Sequence, residues 1–273
     1  MEETQMKLCF STLGCTDRSL EEVLSVAEQF NIRALEIRGM GGIMDNRQIE
    51  ALLPHNEEQT RQKLSASHIV PHVLGTSCAF HDPNKLEAAI AEGKASIDIA
   101  ERFDIPYIRV FGNKLVGEMD EERDACYARV ANGIATLCRY AKETHVSVLL
   151  EVHGDYTSIE TLGKVTEQLT EYSNFGLIWD IAHTAAYGDR WYEFYRFFRP
   201  LIRHVHIKDR LLERNVLTLP GEGELPIIPI VQTMMEDGFD GYFSLEWEKK
   251  WHPELPDLSE ALSKFVSIMR RND

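Results

Sequence analysis

Eight short apolar runs recur along the chain, and an amphipathic stretch follows each. The runs are 6–11 (MKLCFS), 32–38 (IRALEIR), 69–75 (IVPHVLG), 107–112 (YIRVFG), 146–153 (VSVLLEVH), 175–181 (FGLIWDI), 202–208 (IRHVHIK) and 242–247 (YFSLEW). Several are apolar nearly throughout, as parallel strands buried on both faces should be. Between them, 19–30 opens on Ser19 with Glu22 three residues on, a capping box. The stretch 56–67 is polar, while 84–103 and 120–144 are long and well patterned. In the latter, Cys126, Val130, Ile134, Leu137 and Tyr140 share a face at spacings of three and four. Thr157 and Glu160 repeat the capping-box pattern ahead of 158–172. The short aromatic 191–198 is closed by Pro200, and 226–237 and 257–270 complete the series.

Strand and helix alternating eight times predict an α/β fold of the (β/α)8 TIM-barrel kind, with 1–273 as a single domain. A doubly wound dinucleotide fold is disfavoured, because the loop Ser11–Thr16 holds one glycine where a phosphate-binding turn needs several. The GMGG at 39–42 reads as a surface loop or lid rather than a phosphate cradle.

Composition narrows the function. Lys plus Arg is 29 and Asp plus Glu is 44, a net charge of −15 that repels phosphate backbones and anionic lipid. Neither a nucleic-acid nor a membrane partner is therefore expected. The five cysteines form no C-x-x-C pair, and the N-terminus has no signal-peptide core, so a reduced cytoplasmic protein is the simplest reading.

Four of the apolar runs end on a chemically active side chain: Glu151, Asp180, His206 and Glu246. In an α/β barrel the active site lies at the C-terminal ends of the strands, and neighbouring strands are about 4.8 Å apart. One glutamate at a strand end is ordinarily a surface or loop-capping group, and one histidine in an apolar strand a satisfied core residue. Three carboxylates converging with an imidazole are different. Buried without a cation they would cost several kcal/mol each, and a divalent ion removes that conflict. Mn²⁺ is favoured on ligand hardness, with Mg²⁺, Co²⁺ and Zn²⁺ also suited.

The motifs LLEVHG, WDIAHT, HVHIKD, PGEGEL (220–225) and SLEWEKKWHPEL (245–255) carry a family resemblance over the whole chain. The sequence resembles the xylose isomerase-like barrel superfamily of sugar phosphate isomerases and epimerases. Tagatose/psicose 3-epimerases, hydroxypyruvate isomerase, inosose dehydratases and endonuclease IV are relatives within it. The resemblance implies that Glu151, Asp180, His206 and Glu246 hold one divalent metal. It also implies that Glu151 and Glu246 move a proton between the two faces of a small carbohydrate substrate. A ligating carboxylate keeps a second oxygen for that proton. His183 is implied to contact substrate or a neighbouring metal position. The resemblance further implies a homo-oligomer, although no seam is legible.

Other residues are weighed on chemistry alone. His153 shares a strand side with Glu151 and either orients substrate or hydrogen-bonds its loop. Lys208, Arg210, Lys249, Lys250 and His252 cluster in sequence near the rim and suit an anionic or polyhydroxylated substrate. Arg109, inside the fourth strand, needs a partner and is a substrate or supporting residue. Trp251 and Trp247 are candidates to stack on a sugar, as are Phe10, Phe80 and Phe111, with core packing the stronger reading for Phe10 and Phe111. Nothing near Cys15 lowers its pKa. A dehydratase using the same metal and glutamates is the main alternative. An endonuclease IV-like nuclease is less favoured: His72 is the one candidate extra ligand, the fourth strand ends RVFGNK without a histidine, and the charge opposes DNA. A non-catalytic sugar-binding barrel is expected to lack one of the two glutamates.

Overall fold

Parallel strands bury their backbones in one another, and eight of them here close the ring. They are β1 (Lys7–Ser11), β2 (Ala34–Ile37), β3 (Val70–Ala79), β4 (Tyr107–Phe111), β5 (Ser147–Glu151), β6 (Phe175–Asp180), β7 (Ile202–Ile207) and β10 (Tyr242–Leu245), with β10 pairing back onto β1. The structure is a computed structural model and describes residues 6–270. Helices α1 (Leu20–Gln29), α2 (Glu57–Ala66), α3 (Leu86–Arg102), α4 (Asp120–Tyr140), α5 (Ile159–Thr166), α6 (Trp191–Phe198), α7 (Ile227–Glu236) and α8 (Leu258–Arg270) lie between and after the strands. The expected (β/α)8 barrel is the observed fold. A small antiparallel hairpin, β8 (Asp209–Leu211) with β9 (Val216–Thr218), follows β7, and its run of polar residues gave no strand signal in the sequence.

The capping box of α1 forms as expected: Ser19 N–H donates to Glu22 at 2.8 Å and Glu22 N–H to Ser19 Oγ at 3.3 Å. The second box is shifted by one residue. Ser158, not Thr157, caps α5, and its partner is Thr161. On α4, Cys126, Val130, Ile134 and Leu137 are buried, but Tyr140 turns out of that face and is exposed, its hydroxyl donating to Asp98 at 2.9 Å. The GMGG segment forms a tight turn. Gly41 and Gly42 have φ +59 and +81, and their N–H groups donate to Arg18 O and Thr16 O, which leaves no phosphate cradle.

Side chains alternate between the helix layer and the barrel interior. Val73, Leu149 and Ile178 form an apolar cluster inside the ring, separate from the main core between strands and helices. Two residues further along the same strands come Gly75, Glu151 and Asp180. The interior therefore changes from apolar to charged in one step toward the C-terminal ends.

The opposite end of the barrel is closed by rings. A register shift between β2 and β3 passes over His72, as at a β-bulge. Its ring packs against Tyr242 (4.3 Å between centroids), Tyr107 (5.0 Å) and His204 (5.6 Å). Burial, reinforced by His204, pushes the His72 pKa down to about 3. The unfolded chain takes up this proton near pH 6.5 and the folded one refuses it until about pH 3. The contribution to stability is thus present above pH 6.5 and lost as pH falls through that window. Urea unfolding at pH 7 and pH 5 should show wild type losing more stability on acidification than His72→Phe; equal losses would exclude the assignment.

Candidate metal centre

Glu151 ends β5, Asp180 ends β6, His206 lies near the end of β7, and Glu246 directly follows β10. Asp180 and His206 are fully buried, with Glu151 and Glu246 at 1% and 3% exposure. One ligand atom from each of the four lies within 4.8 Å of the other three. His206 Nδ1 faces Glu246 Oε2 at 3.3 Å and Glu151 Oε1 at 3.8 Å, yet makes no hydrogen bond. An unpaired buried imidazole nitrogen aimed at two carboxylate oxygens, with a third carboxylate beside them, is a donor set that fits a divalent cation.

Two fixed cations complete the cluster. Arg109 Nη1 donates to Glu151 Oε2 at 2.8 Å and to Glu246 Oε1 at 3.2 Å, and Nη2 donates to Thr76 O. The guanidinium also lies 4.3 Å from the centroid of the Phe111 ring. It passes close to β3 because residue 75 is glycine: a Cβ there would lie 3.2 Å from Arg109 Nη2 and 2.8 Å from Arg38 Cδ. The Lys208 ammonium is 2.6 Å from Glu246 Oε2 and 2.7 Å from Asp180 Oδ2, and it bonds Glu248. Lys208 is only 2% exposed.

The charges set one another. Burial works against every ionised group here, and the neighbours outweigh it. His206, Lys208 and Arg109 hold the Glu246 carboxyl well below its ordinary range. Arg109 and His206 do the same for Glu151 despite Glu246, and Lys208 and His183 for Asp180. Reciprocally, the carboxylates push His206 and Lys208 well above theirs.

Arg109, one of the candidates for a substrate or supporting role, is committed to the two glutamates. Both glutamates therefore have one oxygen on Arg109, whereas the sequence reading left that oxygen free. Lys208 lies among the ligands rather than on the rim. Lys249 donates to Leu255 O at 2.6 Å within its own loop, and Trp251 is 56% exposed. Arg210 is tied to Asn215 in the hairpin, and His252 lies 3.3 Å from Glu254. Trp247, Phe10 and Phe80 are buried in the core. Burial pushes the Cys15 thiol up to about 12, so it stays protonated.

His153 and His183 do come together beside the cluster, their centroids 4.4 Å apart. His183 Nε2 is 3.6 Å from Asp180 Oδ2, and neither His153 Nδ1 nor His183 Nε2 has a hydrogen-bond partner. His72 stays at the far end of the barrel and does not join them.

Sequence reasoning missed Glu36 and Glu248. Glu36 was detectable, as a carboxylate inside the buried strand ALEI needs a partner. Asp209 explains two motifs at once: from HIKD it accepts N–H bonds from Gly221, Gly223 and Leu225, and so folds the PGEGEL turn.

This barrel, with four candidate ligands at the ends of neighbouring strands, belongs to the xylose isomerase-like TIM-barrel family, whose model matches residues 24–267. Among curated proteins, an inosose dehydratase of Lacticaseibacillus casei is 22% identical over 142 residues, covering 45% of this chain and 47% of that protein. The chain thus spans about half the length of that relative. Among solved structures, a D-tagatose 3-epimerase-like protein superposes with a TM-score of 0.77 at 17% identity, over 98% of this chain and 97% of the other. The IOLI protein with a bound zinc atom gives 0.76 at 18% identity, over 96% and 97%. At those identities the superpositions speak for the fold. No described helix is long and apolar enough to cross a membrane.

Proposed function

We propose that this protein is a divalent-metal-dependent isomerase or epimerase of a ketose or sugar phosphate. The observation that carries the reading is the convergence of Glu151, Asp180, His206 and Glu246 on one buried point. These four residues would hold the ion. A divalent ion, when bound, polarises a carbonyl oxygen and makes the neighbouring C–H more acidic. Mn²⁺ is favoured by the carboxylate-rich donors, and the zinc of the IOLI neighbour keeps Zn²⁺ in view.

Glu151 and Glu246 flank the cluster and move the proton in this reading. An ionised carboxylate has about four lone-pair sites. Arg109 takes one on each glutamate and Lys208 one on the other oxygen of Glu246, and the remaining lone pairs are those that would serve metal and proton. His153 and His183, with unpaired nitrogens, hold substrate hydroxyls.

A second reading, a dehydratase of a keto-inositol or related polyhydroxy ketone, is favoured by one observation. The Arg109 charge weakens both glutamates as bases, while the His153–His183 pair offers free nitrogens to take one proton and deliver another to a departing hydroxyl. The inosose dehydratase relative supports that alternative.

Incubation of the metal-loaded protein with ketoses and inososes in D₂O tests both. Carbon-bound deuterium without loss of water is the isomerase result, and a new enone or diketone is the dehydratase result. Metal analysis should show about one divalent ion per chain. Three ions, or no exchange with any carbonyl substrate, would overturn the proposal.

A further inference from the structure

Glu36 is buried to 0% exposure in β2, on the opposite side of the barrel interior from His206. In the strand order, β1 and β10 stand between β2 and β7. Its Oε2 lies 2.8 Å from His206 Nε2 and 3.3 Å from His204 Nε2, and Ser11 Oγ donates to its Oε1 at 3.4 Å. It contributes no atom to the four-residue ligand cluster.

We propose that Glu36 is the positioning residue of the metal centre, accepting the Nε2 proton of His206 so that the Nδ1 lone pair points at Glu151 and Glu246. The inference rests on the reading of His206 as a metal ligand. An ionised carboxylate can only accept, so the ring nitrogen facing it must carry the proton. Neutral imidazole has one N–H, and Nδ1 is then left with a lone pair. That is the nitrogen found unpaired between the glutamates. A carboxylate behind a ligating histidine fixes both the tautomer and the ring plane, and makes the nitrogen on the other side a stronger donor.

The surroundings hold Glu36 to this task. Ser11 takes one oxygen, and His204, two residues before His206 on the same face of β7, approaches the other. With three neighbours from β1 and β7, the carboxylate cannot swing away. Its side chain must also reach across the interior, which aspartate, one methylene shorter, would not do. This separates the role from a generic need for negative charge.

The test uses the full-length protein and Mn²⁺ or Zn²⁺ alone, with affinity read by competition against a chelating dye. Glu36→Gln keeps the shape and loses the charge; it should weaken metal binding by about 10–100-fold. Glu36→Asp should not restore it. Long-range ¹H–¹⁵N NMR of the histidine rings in the Zn²⁺-loaded wild-type protein should show His206 protonated on Nε2, with no proton on Nδ1. An Nδ1–H tautomer, or a Glu36→Gln affinity within about twofold of wild type, would overturn the inference. His206→Ala separates it from the reading beneath. If His206→Ala loses the metal and Glu36→Gln does not, Glu36 has no positioning role. If His206→Ala keeps the metal, the centre itself has been misassigned. The NMR measurement needs no variant to fold.

Discussion

Replacing Glu246 by glutamine is expected to lower turnover of the identified carbonyl substrate by about 10²–10⁴-fold, the usual contribution of a positioned acid or base. The residue is the node of the site. Its Oε2 meets His206 and Lys208, and its Oε1 meets Arg109. Glutamine has nearly the same volume, so packing is kept, but its amide nitrogen must face either the Arg109 or the Lys208 donor. The charge that would hold metal and proton is lost at the same time. Metal content therefore has to be measured beside kcat. A variant that retains about one ion per chain but loses turnover places Glu246 in proton transfer. One that loses both places it chiefly in the ligand set, and undiminished turnover would remove it from the chemistry.

The second large effect is on stability. Arg109→Met should destabilise the protein by about 3–5 kcal/mol without added metal, because it strands two buried carboxylates. Arg109 is 2% exposed and its Nη1 serves both glutamates. With a typical domain stable by about 5–15 kcal/mol, that loss would show directly in urea denaturation. The pH dependence has a definite sign. Both glutamates are held below their ordinary values in the fold. Their contribution is present above about pH 4.3, the unfolded value, and lost as pH falls further. The gap between wild type and Arg109→Met should therefore be widest near neutrality and shrink in acid. Arg109→Lys keeps the charge but not the fork, and should recover only part of the loss. A Met variant as stable as wild type at pH 7 would show that Lys208 and His206 suffice.

The fold was legible because parallel strands buried on both faces leave continuous apolar runs, and the helices between them keep a 3.6-residue period. The convergence of four chemically active side chains was legible for a related reason. Glu151, Asp180, His206 and Glu246 each interrupt an apolar strand at the end where a barrel places its chemistry. What stayed hidden depends on distance across the barrel. Nothing in RVFGNK says that Arg109 meets a glutamate 137 positions away, and nothing in ALEIR says that Glu36 meets His206 170 positions away. The basic residues after Glu246 misled for the opposite reason. They are neighbours in sequence, but Lys249 turns back into its own loop while Lys208, from another strand, enters the site. The one-residue error at the α5 cap is of another kind: Thr157 and Ser158 both suit an N-cap, and only the backbone path chooses between them.

The apolar cluster of Val73, Leu149 and Ile178 has a consequence beyond packing. It lies between the charged residues above and the imidazole and phenol rings below. Three hydrocarbon side chains make a poor medium for ions and offer water no partner, so the cluster insulates the β3, β5 and β6 side of the bore, while on the other side His204 links the His72 ring to Glu36 and so to His206. Charges above it interact at close to full strength with one another and weakly with solvent below. Changes at the His72 end can then reach the upper cluster through His204 and Glu36 rather than through the apolar side.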